Sequence, residues 1–390
     1  MPRQSKKSNV TDKARSRFKV LKSRKNRRRA ILLSVVALIC VSLFTFYLIT
    51  PTGIIEYFQN NYAVSQDLGD SYMVDPNSTV EQFSSNNNAA FLLSSTYFEI
   101  FNKRGNNVLY FKHGFSSPVM ETSPARVLVY DRGGKKFKVF NYSTVIYERT
   151  LKNNIYSADI SRDGKCAFVT DSNSHSSELF VYDDDQELIY NWKCSGNLLS
   201  SVSFNESGTK VATAEIFTEG GILSSKVSLF NMSDESPSNT ILFDGEIITS
   251  LFNCSGKLIA ASESNVYIMN WKNGEYTTIS TDGIISFLSS DIDDQLMIVF
   301  SREDKQTYNN ICLYNGDFEK VASFTVNAVL ADVISDEKGV YAVYDNKLCK
   351  YDLQGNLTDT VTSIYNIQRV TFIDNGNSFA ACGTSKIIVF

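Results

Sequence analysis

The sequence predicts an all-β fold made of repeated four-stranded sheets, and the main observation is a motif that recurs eight times. Each copy begins with a short stretch in which apolar and polar residues alternate, followed by a polar turn, an apolar run and a loop. A second alternating run, which ends in Tyr, Phe or Met, completes the copy. Clear copies are Ser157–Tyr182, Ser201–Phe230 and Ser250–Met269. Alternation with a period of two residues is the pattern of half-buried strands.

The spacing of the copies supplies the second observation. Their polar turns are 36 to 48 residues apart, at Asn88, Pro124, Gly164, Gly208, Gly256, Asp294, Lys338 and Gly376. A four-stranded sheet takes about 40 residues, and radial repetition of such sheets makes a β-propeller. The sequence therefore predicts a propeller of eight four-stranded blades, with seven blades as the alternative count.

The predicted blades follow one another along the chain near residues 77–112, 115–151, 155–192, 198–243, 247–280, 284–324, 328–362 and 367–390. The last copy stops at its third strand, Lys386–Phe390, which would leave an open sheet edge. We expect the segment Tyr62–Ser65 to supply the missing fourth strand and close the ring.

The N-terminal part of the chain has a different character. Residues 1–29 hold 13 of the 38 Lys and Arg and a single acid, Asp12, whereas residues 30–50 carry no charge. A run of about 20 apolar residues matches the thickness of a bilayer core. A cleaved signal peptide, the alternative, would have a shorter apolar region and a small-residue cleavage site. The sequence therefore predicts an uncleaved transmembrane helix.

Positive charge before such a helix keeps the N-terminus in the cytoplasm. The predicted organisation is a basic cytoplasmic tail at 1–29, a transmembrane helix at 30–50, a juxtamembrane stalk at 51–61 and an extracytoplasmic propeller at 62–390. The tail has one aromatic residue, Phe18, so we interpret it as a topology signal that touches anionic lipid rather than nucleic acid.

The residues that usually carry chemistry are sparse. No HExxH, GxSxG, P-loop or GxGxxG pattern occurs, and His113 and His175 are the only histidines. The acids at Asp183–Asp185 and Asp291–Asp294 fall at predicted hairpin turns, where Asp bonds its own backbone. Six cysteines lie beyond residue 50 without a close pair, which favours buried thiols over a metal site, with disulfides as the alternative. We expect no catalytic residue, cofactor or metal.

Binding residues are expected in the loops. The four strands of a propeller blade are lettered A to D, from the innermost strand, which lines the channel, to the outermost. The A–B and C–D turns lie on one face, and the B–C and D–A connections lie on the other. Long B–C loops are predicted at Asp171–Glu178, Glu215–Lys226 and Ser301–Ile311, and long loops on a rigid frame often carry recognition. The candidate binding residues are Arg132, His175, Phe217 and Tyr308.

Arg132 stands in the most distinctive local string, Tyr130-Asp131-Arg132-Gly133-Gly134-Lys135-Lys136. The two glycines suit the positive φ of a tight hairpin turn. The alternative is that Arg132 and the exposed backbone hold an anion.

The repeats resemble the quinoprotein-like and WD40-like propeller superfamily. With the basic tail, the apolar segment and the Tyr-Asp-Arg-Gly-Gly-Lys string, the whole chain resembles an uncharacterised family of membrane-anchored propellers from Gram-positive bacteria. That resemblance carries no established active site. The Gly-His and Trp-Asp pairs of WD40 proteins are missing, since neither Trp192 nor Trp271 is followed by Asp. The docking and cofactor residues of quinone-dependent dehydrogenases are missing as well.

We therefore expect a non-catalytic scaffold, anchored in the cell membrane, that binds a protein or a cell-envelope ligand. One alternative is an envelope hydrolase or lyase that uses carboxylates at the mouth of the propeller channel. Another is an envelope sensor that signals to the basic tail.

Overall fold

A computed structural model describes residues 31–42, 52–65, 78–86, 89–290, 295–302, 307–362, 366–373, 378–383 and 387–389. The chain divides into two units, Met1–Gly53 and Ile54–Phe390. In the first unit, residues 31–42 form an exposed helix, α1. Residues 30 and 43–50 of the predicted membrane span lie outside the described residues. Within the described ranges, no helix combines the length and the apolar character that crossing a bilayer requires.

The second unit begins with helix α2, Ile54–Ser65, and continues into eight antiparallel sheets whose strands follow chain order. The prediction of an eight-bladed propeller is thereby confirmed. The strands of blades 1 to 4 are β1 Val80–Asn86, β2 Ala89–Ser94, β3 Tyr97–Asn102, β4 Asn107–Lys112, β5 Pro118–Thr122, β6 Val127–Asp131, β7 Lys136–Phe140, β8 Val145–Thr150, β9 Ile155–Ile160, β10 Cys166–Asp171, β11 Ser177–Tyr182, β12 Leu188–Cys194, β13 Leu198–Phe204, β14 Lys210–Glu219, β15 Ile222–Asn231 and β16 Asn239–Phe243.

Blades 5 to 7 also have four strands each, and blade 8 has three among the described residues. Their strands are β17 Ser250–Cys254, β18 Lys257–Ala261, β19 Asn265–Met269, β20 Tyr276–Ser280, β21 Ile284–Ser290, β22 Leu296–Ser301, β23 Tyr308–Tyr314, β24 Lys320–Asn327, β25 Asp332–Asp336, β26 Gly339–Tyr344, β27 Lys347–Tyr351, β28 Leu357–Thr362, β29 Arg369–Ile373, β30 Ser378–Cys382 and β31 Ile387–Val389. The turn residues Pro124, Gly164, Gly208, Gly256 and Lys338 fall between strands A and B of their blades, and Asn88, Asp294 and Gly376 lie outside the described residues.

The core lies between the blades rather than in one central mass. Strands B and C are covered on both sides, so a strand such as Ala89–Ser94 is buried along its whole length, whereas an outer strand such as Leu357–Thr362 is largely exposed. The buried residues form eight clusters, and each cluster joins two neighbouring blades. Each blade is therefore stabilised mainly by its two neighbours.

Ring closure takes place between blades 8 and 1. Leu92 and Phe101 of blade 1 pack with Ala380 and Ile387 of blade 8 in one of the eight clusters. The Thr371 hydroxyl also lies 2.9 Å from the Ser85 hydroxyl. Both contacts join parts of the chain that are nearly the whole propeller apart in sequence.

The prediction that Tyr62–Ser65 forms the closing strand is wrong, because these residues belong to α2. Glu56, Asn60 and Ala63 recur at helical spacing and share the face that contacts the propeller. Ala63 is buried with the cluster between blades 1 and 2. A helix forms here because it places these three residues on one face that contacts the propeller. In a strand, Ala63 would point to the opposite side from Glu56 and Asn60.

Two polar contacts fix α2 on the turns of blade 2. The Asn60 amide donates to the Ala125 carbonyl at 2.9 Å and accepts from the Tyr142 backbone N–H at 2.9 Å. The Glu56 carboxylate accepts two hydrogen bonds from the Arg126 guanidinium, at 2.9 and 2.8 Å, and both side chains are buried. Much of the segment predicted as a stalk is therefore a helix docked on the face formed by the A–B and C–D turns, called here the A–B face.

Candidate functional site

The inner strands of blades 2 to 5 line a cavity of about 770 Å³ in the central channel. Serine side chains form much of its wall, from Ser157, Ser201, Ser203 and Ser250. Charged residues also reach it, namely Glu121, Arg132, Asp159 and Arg162. The cavity is therefore a polar site.

Asp159 ties blade 3 to blade 4 along the channel wall. Its carboxylate accepts from the Phe204 backbone N–H at 2.7 Å and from its neighbour Ile160 at 2.7 Å. Burial raises the pKa of Asp159 to about 6, and these backbone hydrogen bonds act against that rise. Because both oxygens are occupied by backbone donors, the structure assigns Asp159 a role in joining blades.

The same inter-blade contact recurs elsewhere in the ring. Asp332 accepts from the Val370 N–H at 2.8 Å and joins blades 7 and 8. Gln82 accepts from the Met120 N–H at 2.6 Å and joins blades 1 and 2. Burial raises the pKa of Asp332 to about 6. Polar side chains on strand A of one blade thus accept hydrogen bonds from backbone N–H groups on strand A of the next blade, which would otherwise need water as a partner.

Glu121, on β5, is the channel carboxyl whose titration departs most from its ordinary range. Burial, reinforced by the nearby charge of Asp159, raises its pKa to about 8, and Arg132 opposes the rise. Burial also raises the pKa of Tyr130, which lines the same cavity, to about 12. Glu121 is therefore largely protonated at neutral pH and able to donate a hydrogen bond into the cavity.

Arg132 lies in the B–C turn of blade 2, as the sequence predicted. The Arg132 N–H donates to the Ser117 carbonyl at 2.8 Å, and the Gly133 N–H donates to the Ile155 carbonyl at 2.7 Å. Gly133 has a φ of 77°, which favours glycine. The Arg132 side chain is exposed and lines the channel cavity. The turn interpretation accounts for the backbone, and the side chain remains a candidate binding group.

The two histidines have different settings. His113 is buried, where its Nε2 lies 3.0 Å from the Ser94 carbonyl and its Nδ1 accepts from the Phe115 N–H at 3.0 Å. Burial lowers its pKa, so it is a neutral structural residue. His175 lies in the B–C loop of blade 3, half-buried, with Nδ1 3.2 Å from the Ser195 hydroxyl. Its place on the B–C face keeps it a candidate.

The predicted loop Glu215–Lys226 is not a loop, which corrects the sequence interpretation. Strands β14 and β15 stay paired to Glu219 and Ile222, and Gly220 and Gly221 alone make the turn. Both glycines have positive φ, at 58° and 85°, as a two-residue hairpin turn requires. The blade-4 hairpin, residues 216–225, is therefore a continuous ribbon.

The base of this hairpin is held by an ion pair between a buried carboxylate and a half-buried ammonium. The Lys226 ammonium lies 2.8 Å from the Glu215 carboxylate, which also accepts from the Ser228 hydroxyl at 3.0 Å and the Asn197 amide at 3.0 Å. Glu215 is fully buried. A buried carboxylate with this many donors fixes the direction in which the ribbon leaves the blade.

The tip of the hairpin extends past the neighbouring strands of its own blade. Pairing with β13 ends at Ile216, and pairing with β16 ends at Ser225. Beyond them Ile222 and Leu223 are 59% and 56% exposed, while Phe217 is half-buried. The tip combines exposed apolar side chains with strand edges that have no partner among the described residues.

Tyr308 is the first residue of β23 in blade 6, where it pairs with Asn327 and is 36% exposed. Part of the predicted loop Ser301–Ile311, residues 303–306, lies outside the described residues. The four candidates thus occupy the B–C ends of blades 2, 3, 4 and 6. In the described part of the chain, no hydrogen bond or ring contact joins any two of them.

Sequence reasoning missed Glu121 and the exposed pair Ile222-Leu223. An inward-facing acid on a predicted inner strand was the available signal for Glu121. For the apolar pair, the signal was alternation that continues on both sides of Gly220-Gly221.

Acid clusters in the described residues serve turns. The Asp183 carboxylate accepts from the backbone N–H groups of Asp185 and Glu187, at 3.1 and 2.8 Å. Asp291–Asp294 lie outside the described residues. In the described ranges, no three His, Cys, Asp or Glu side chains are grouped to hold a metal ion. The six cysteines of the propeller are buried free thiols, as predicted.

Known structures and families place the fold in context. The chain is similar to the C-terminal WD40 domain of Sif2, with a TM-score of 0.58 and 10% identity over 83% of this chain and 99% of that domain. It is also similar to BamB from Moraxella catarrhalis, with a TM-score of 0.52 and 12% identity over 82% of this chain and 100% of BamB. At such identities the likeness shows the propeller fold alone.

No curated protein sequence matches the chain. A family described as a family of unknown function, DUF5711, matches residues 61–389. This match spans the propeller and the end of α2, so the protein belongs to the DUF5711 family.

Proposed function

We propose that the protein is a membrane-anchored, extracytoplasmic propeller that binds a protein or cell-envelope ligand on its B–C face and performs no catalysis. The observation that carries this proposal is the blade-4 hairpin. Its base is fixed by the ion pair between buried Glu215 and half-buried Lys226, while its tip exposes Ile222 and Leu223. A rigid element that presents apolar side chains to solvent has the properties of a recognition element.

Energetic considerations support this use of the hairpin. Fully burying an Ile or Leu side chain is worth about 1.5–3 kcal/mol, so covering the exposed parts of Ile222 and Leu223, 59% and 56%, would contribute roughly 1–2 kcal/mol for each residue. The free strand edges of the tip could also pair with an extended segment of a partner. Because the ribbon is already ordered, binding would cost little conformational entropy. A proteinaceous partner fits both features of the tip.

Anchoring is proposed from the uncharged apolar run at 30–50 and the basic residues before it. A reporter fused after Phe390 should be active only outside the cytoplasm, and the full chain should stay in membranes after alkaline washing. Recovery of a soluble form that begins near residue 51 would contradict the anchor.

The hairpin is tested by shortening it. Replacing residues 218–223 with Asn-Gly keeps Phe217 and Ser224 paired and removes Ile222 and Leu223. Partner capture, measured by cross-linking and co-purification from native membranes, should be lost. The free energy of unfolding should change by about 1 kcal/mol or less, because exposed residues contribute little to the core.

Two further variants locate the binding within the face. Ile222→Ser with Leu223→Ser keeps the ribbon and removes only the apolar side chains, so it should also lose most capture. Val329→Ser, in the connection between blades 6 and 7 on the same face, is the matched control, because Val329 is 67% exposed and lies far from the hairpin in sequence; this variant should retain capture. If the shortened hairpin still captures the native partner, the recognition surface lies elsewhere and the proposal is wrong in this respect.

The alternative is an envelope hydrolase or lyase that uses the channel carboxyls. Glu121 and Asp159 favour it, because both line the same cavity and both have raised pKa values. Against it, Asp159 is occupied by backbone donors. An activity on envelope polymers that Glu121→Gln abolishes, without loss of folding, would establish the enzyme.

A further inference from the structure

One face of helix α2 contacts the propeller, and the opposite face is exposed. The inner face carries Glu56, Asn60 and Ala63, which fix it on blades 1 and 2. The outer face exposes Ile55, Phe58 and Tyr62 at 75%, 60% and 70%. These three residues follow helical spacing, so they form one apolar stripe directed away from the propeller.

The outer face carries no charge. Its exposed positions are Ile54, Ile55, Phe58, Gln59, Tyr62 and Ser65. The helix cannot turn to bury its apolar stripe, because Asn60 and the Glu56–Arg126 pair hold the opposite face on the propeller. An uncharged apolar stripe that is held facing away from the propeller marks a surface that contacts another apolar surface.

The order of segments along the chain indicates which apolar environment lies close to the exposed stripe of α2. Only residues 51–53 separate the uncharged apolar run from α2. At about 3.6 Å per extended residue, an apolar run that crosses a bilayer would keep the start of α2 close to the lipid headgroups. Phe and Tyr suit that location, because aromatic residues gather where a membrane meets water.

Charge on the A–B face favours the same arrangement. The A–B and C–D turns of blades 1 and 2 hold the exposed Lys103 and Arg104 and no acid. The corresponding turns of blades 3 and 4 hold many acids, at Asp163, Asp183, Asp184, Asp185, Glu187, Glu206, Asp234 and Glu235. An anionic headgroup layer would therefore repel the sector that carries α2 less than it repels the sector of blades 3 and 4.

We propose that α2 lies in the interfacial layer of the bilayer, with Ile55, Phe58 and Tyr62 inserted among the lipids. This inference rests on the proposed membrane anchor. The helix then acts as a rigid foot that brings blades 1 and 2 toward the membrane and turns the B–C face, with the blade-4 hairpin, away from it. The anchored propeller would thereby have a fixed orientation instead of moving freely on a tether.

The experiment uses the full chain in liposomes made with brominated lipids, which quench tryptophan on contact. Phe58→Trp places a probe on the stripe, and Leu223→Trp places a matched probe on the exposed hairpin tip. The unmodified chain supplies the background of Trp192 and Trp271. Both variants should unfold at the same temperature as the unmodified protein.

Phe58→Trp should be quenched severalfold more than Leu223→Trp, with blue-shifted emission. Equal quenching of the two probes, or stronger quenching of Leu223→Trp, would overturn the orientation. Blue-shifted but unquenched Phe58→Trp emission, with cross-linked dimers, would show that a second copy covers the stripe. Membrane retention after alkaline washing is measured on the same samples. Loss of retention removes the anchor and this inference together, whereas retention without quenching removes the inference alone.

Discussion

Single carboxyl groups show how differently this propeller treats buried charge. Glu215 is fully buried, yet Lys226, Ser228 and Asn197 all contact its oxygens. Glu99 is also fully buried, on β3, and accepts a hydrogen bond from the Asn107 amide at 3.1 Å. Its second oxygen has no partner among the described residues. Burial accordingly raises the pKa of Glu99 to about 8.

The raised pKa of Glu99 predicts a loss of stability as pH rises. Between the ordinary carboxyl pKa and about 8, the folded chain holds a proton that the unfolded chain has released, so the free energy of unfolding falls as pH rises through this window. Each pKa unit corresponds to about 1.4 kcal/mol. Glu99→Gln mimics the protonated group and should raise the melting temperature at pH 8–9 by several degrees.

The measurement compares thermal unfolding of Glu99→Gln and the unmodified protein at several values of pH between 5 and 9. Glu219→Gln, on the exposed hairpin tip, is the matched control and should follow the unmodified protein. Glu121, Asp159 and Asp332, whose pKa values are also raised, should contribute slopes of the same sign. His113, whose pKa burial lowers, should contribute a slope of the opposite sign. Equal melting temperatures for Glu99→Gln and the unmodified protein across the range would refute a buried neutral Glu99.

Among the secondary-structure elements, the strands are predicted well from the sequence, whereas helix α2 and the long blade-4 hairpin are not. Alternation and turn chemistry located every blade, because each strand carries its own local pattern. The pattern of residues 62–65 predicts a strand wrongly, because four residues are too few to separate a period of two from one of 3.6. The length of Glu215–Lys226 exceeds that of an ordinary turn and so predicts a loop, although Gly220-Gly221 allows two long strands to meet.

The docking of α2 predicts a large effect from one polar side chain. Asn60→Ala removes the partner of the Ala125 carbonyl and of the Tyr142 N–H. Leaving such buried groups unsatisfied costs about 1–3 kcal/mol each. We expect a lower melting temperature and faster protease cleavage within residues 51–65. Gln59→Ala, on the exposed side of the same helix, should change neither. Cleavage rates that match between the two variants would mean that α2 is not held by Asn60.

For the whole molecule, the sequence predicted the number of blades but not how the ring closes. Blade number follows from repetition, which is visible locally. Closure depends on contacts between β1–β3 and β29–β31, and no local pattern marks residues so distant in sequence as partners. The candidate site likewise has one part that a local pattern reveals and one part that depends on how the blades are arranged. Arg132 was found from its own turn, whereas the channel cavity exists only after four blades are placed side by side.

The closed ring of blades should unfold as one cooperative unit. Ile387 is 1% exposed and packs between blades 8 and 1. Ile387→Ala should cost about 2–5 kcal/mol, as large-to-small changes in a core do. Because each blade depends on its neighbours, the loss should reach blades far from the closure. Trp192 of blade 3 and Trp271 of blade 5 report on those blades.

The test follows tryptophan fluorescence during urea unfolding. In a closed cooperative ring, the fluorescence midpoint of Ile387→Ala should fall and coincide with the midpoint from circular dichroism, because blades 3 and 5 unfold together with blades 8 and 1. Leu357→Ala, on an exposed outer strand of blade 7, is the matched control and should leave both midpoints unchanged. If the circular dichroism midpoint of Ile387→Ala falls while its fluorescence midpoint stays, blades 8 and 1 open by themselves. The ring would then behave as an array of separately stable neighbours, and the interface between its two ends would stabilise only the blades that form it.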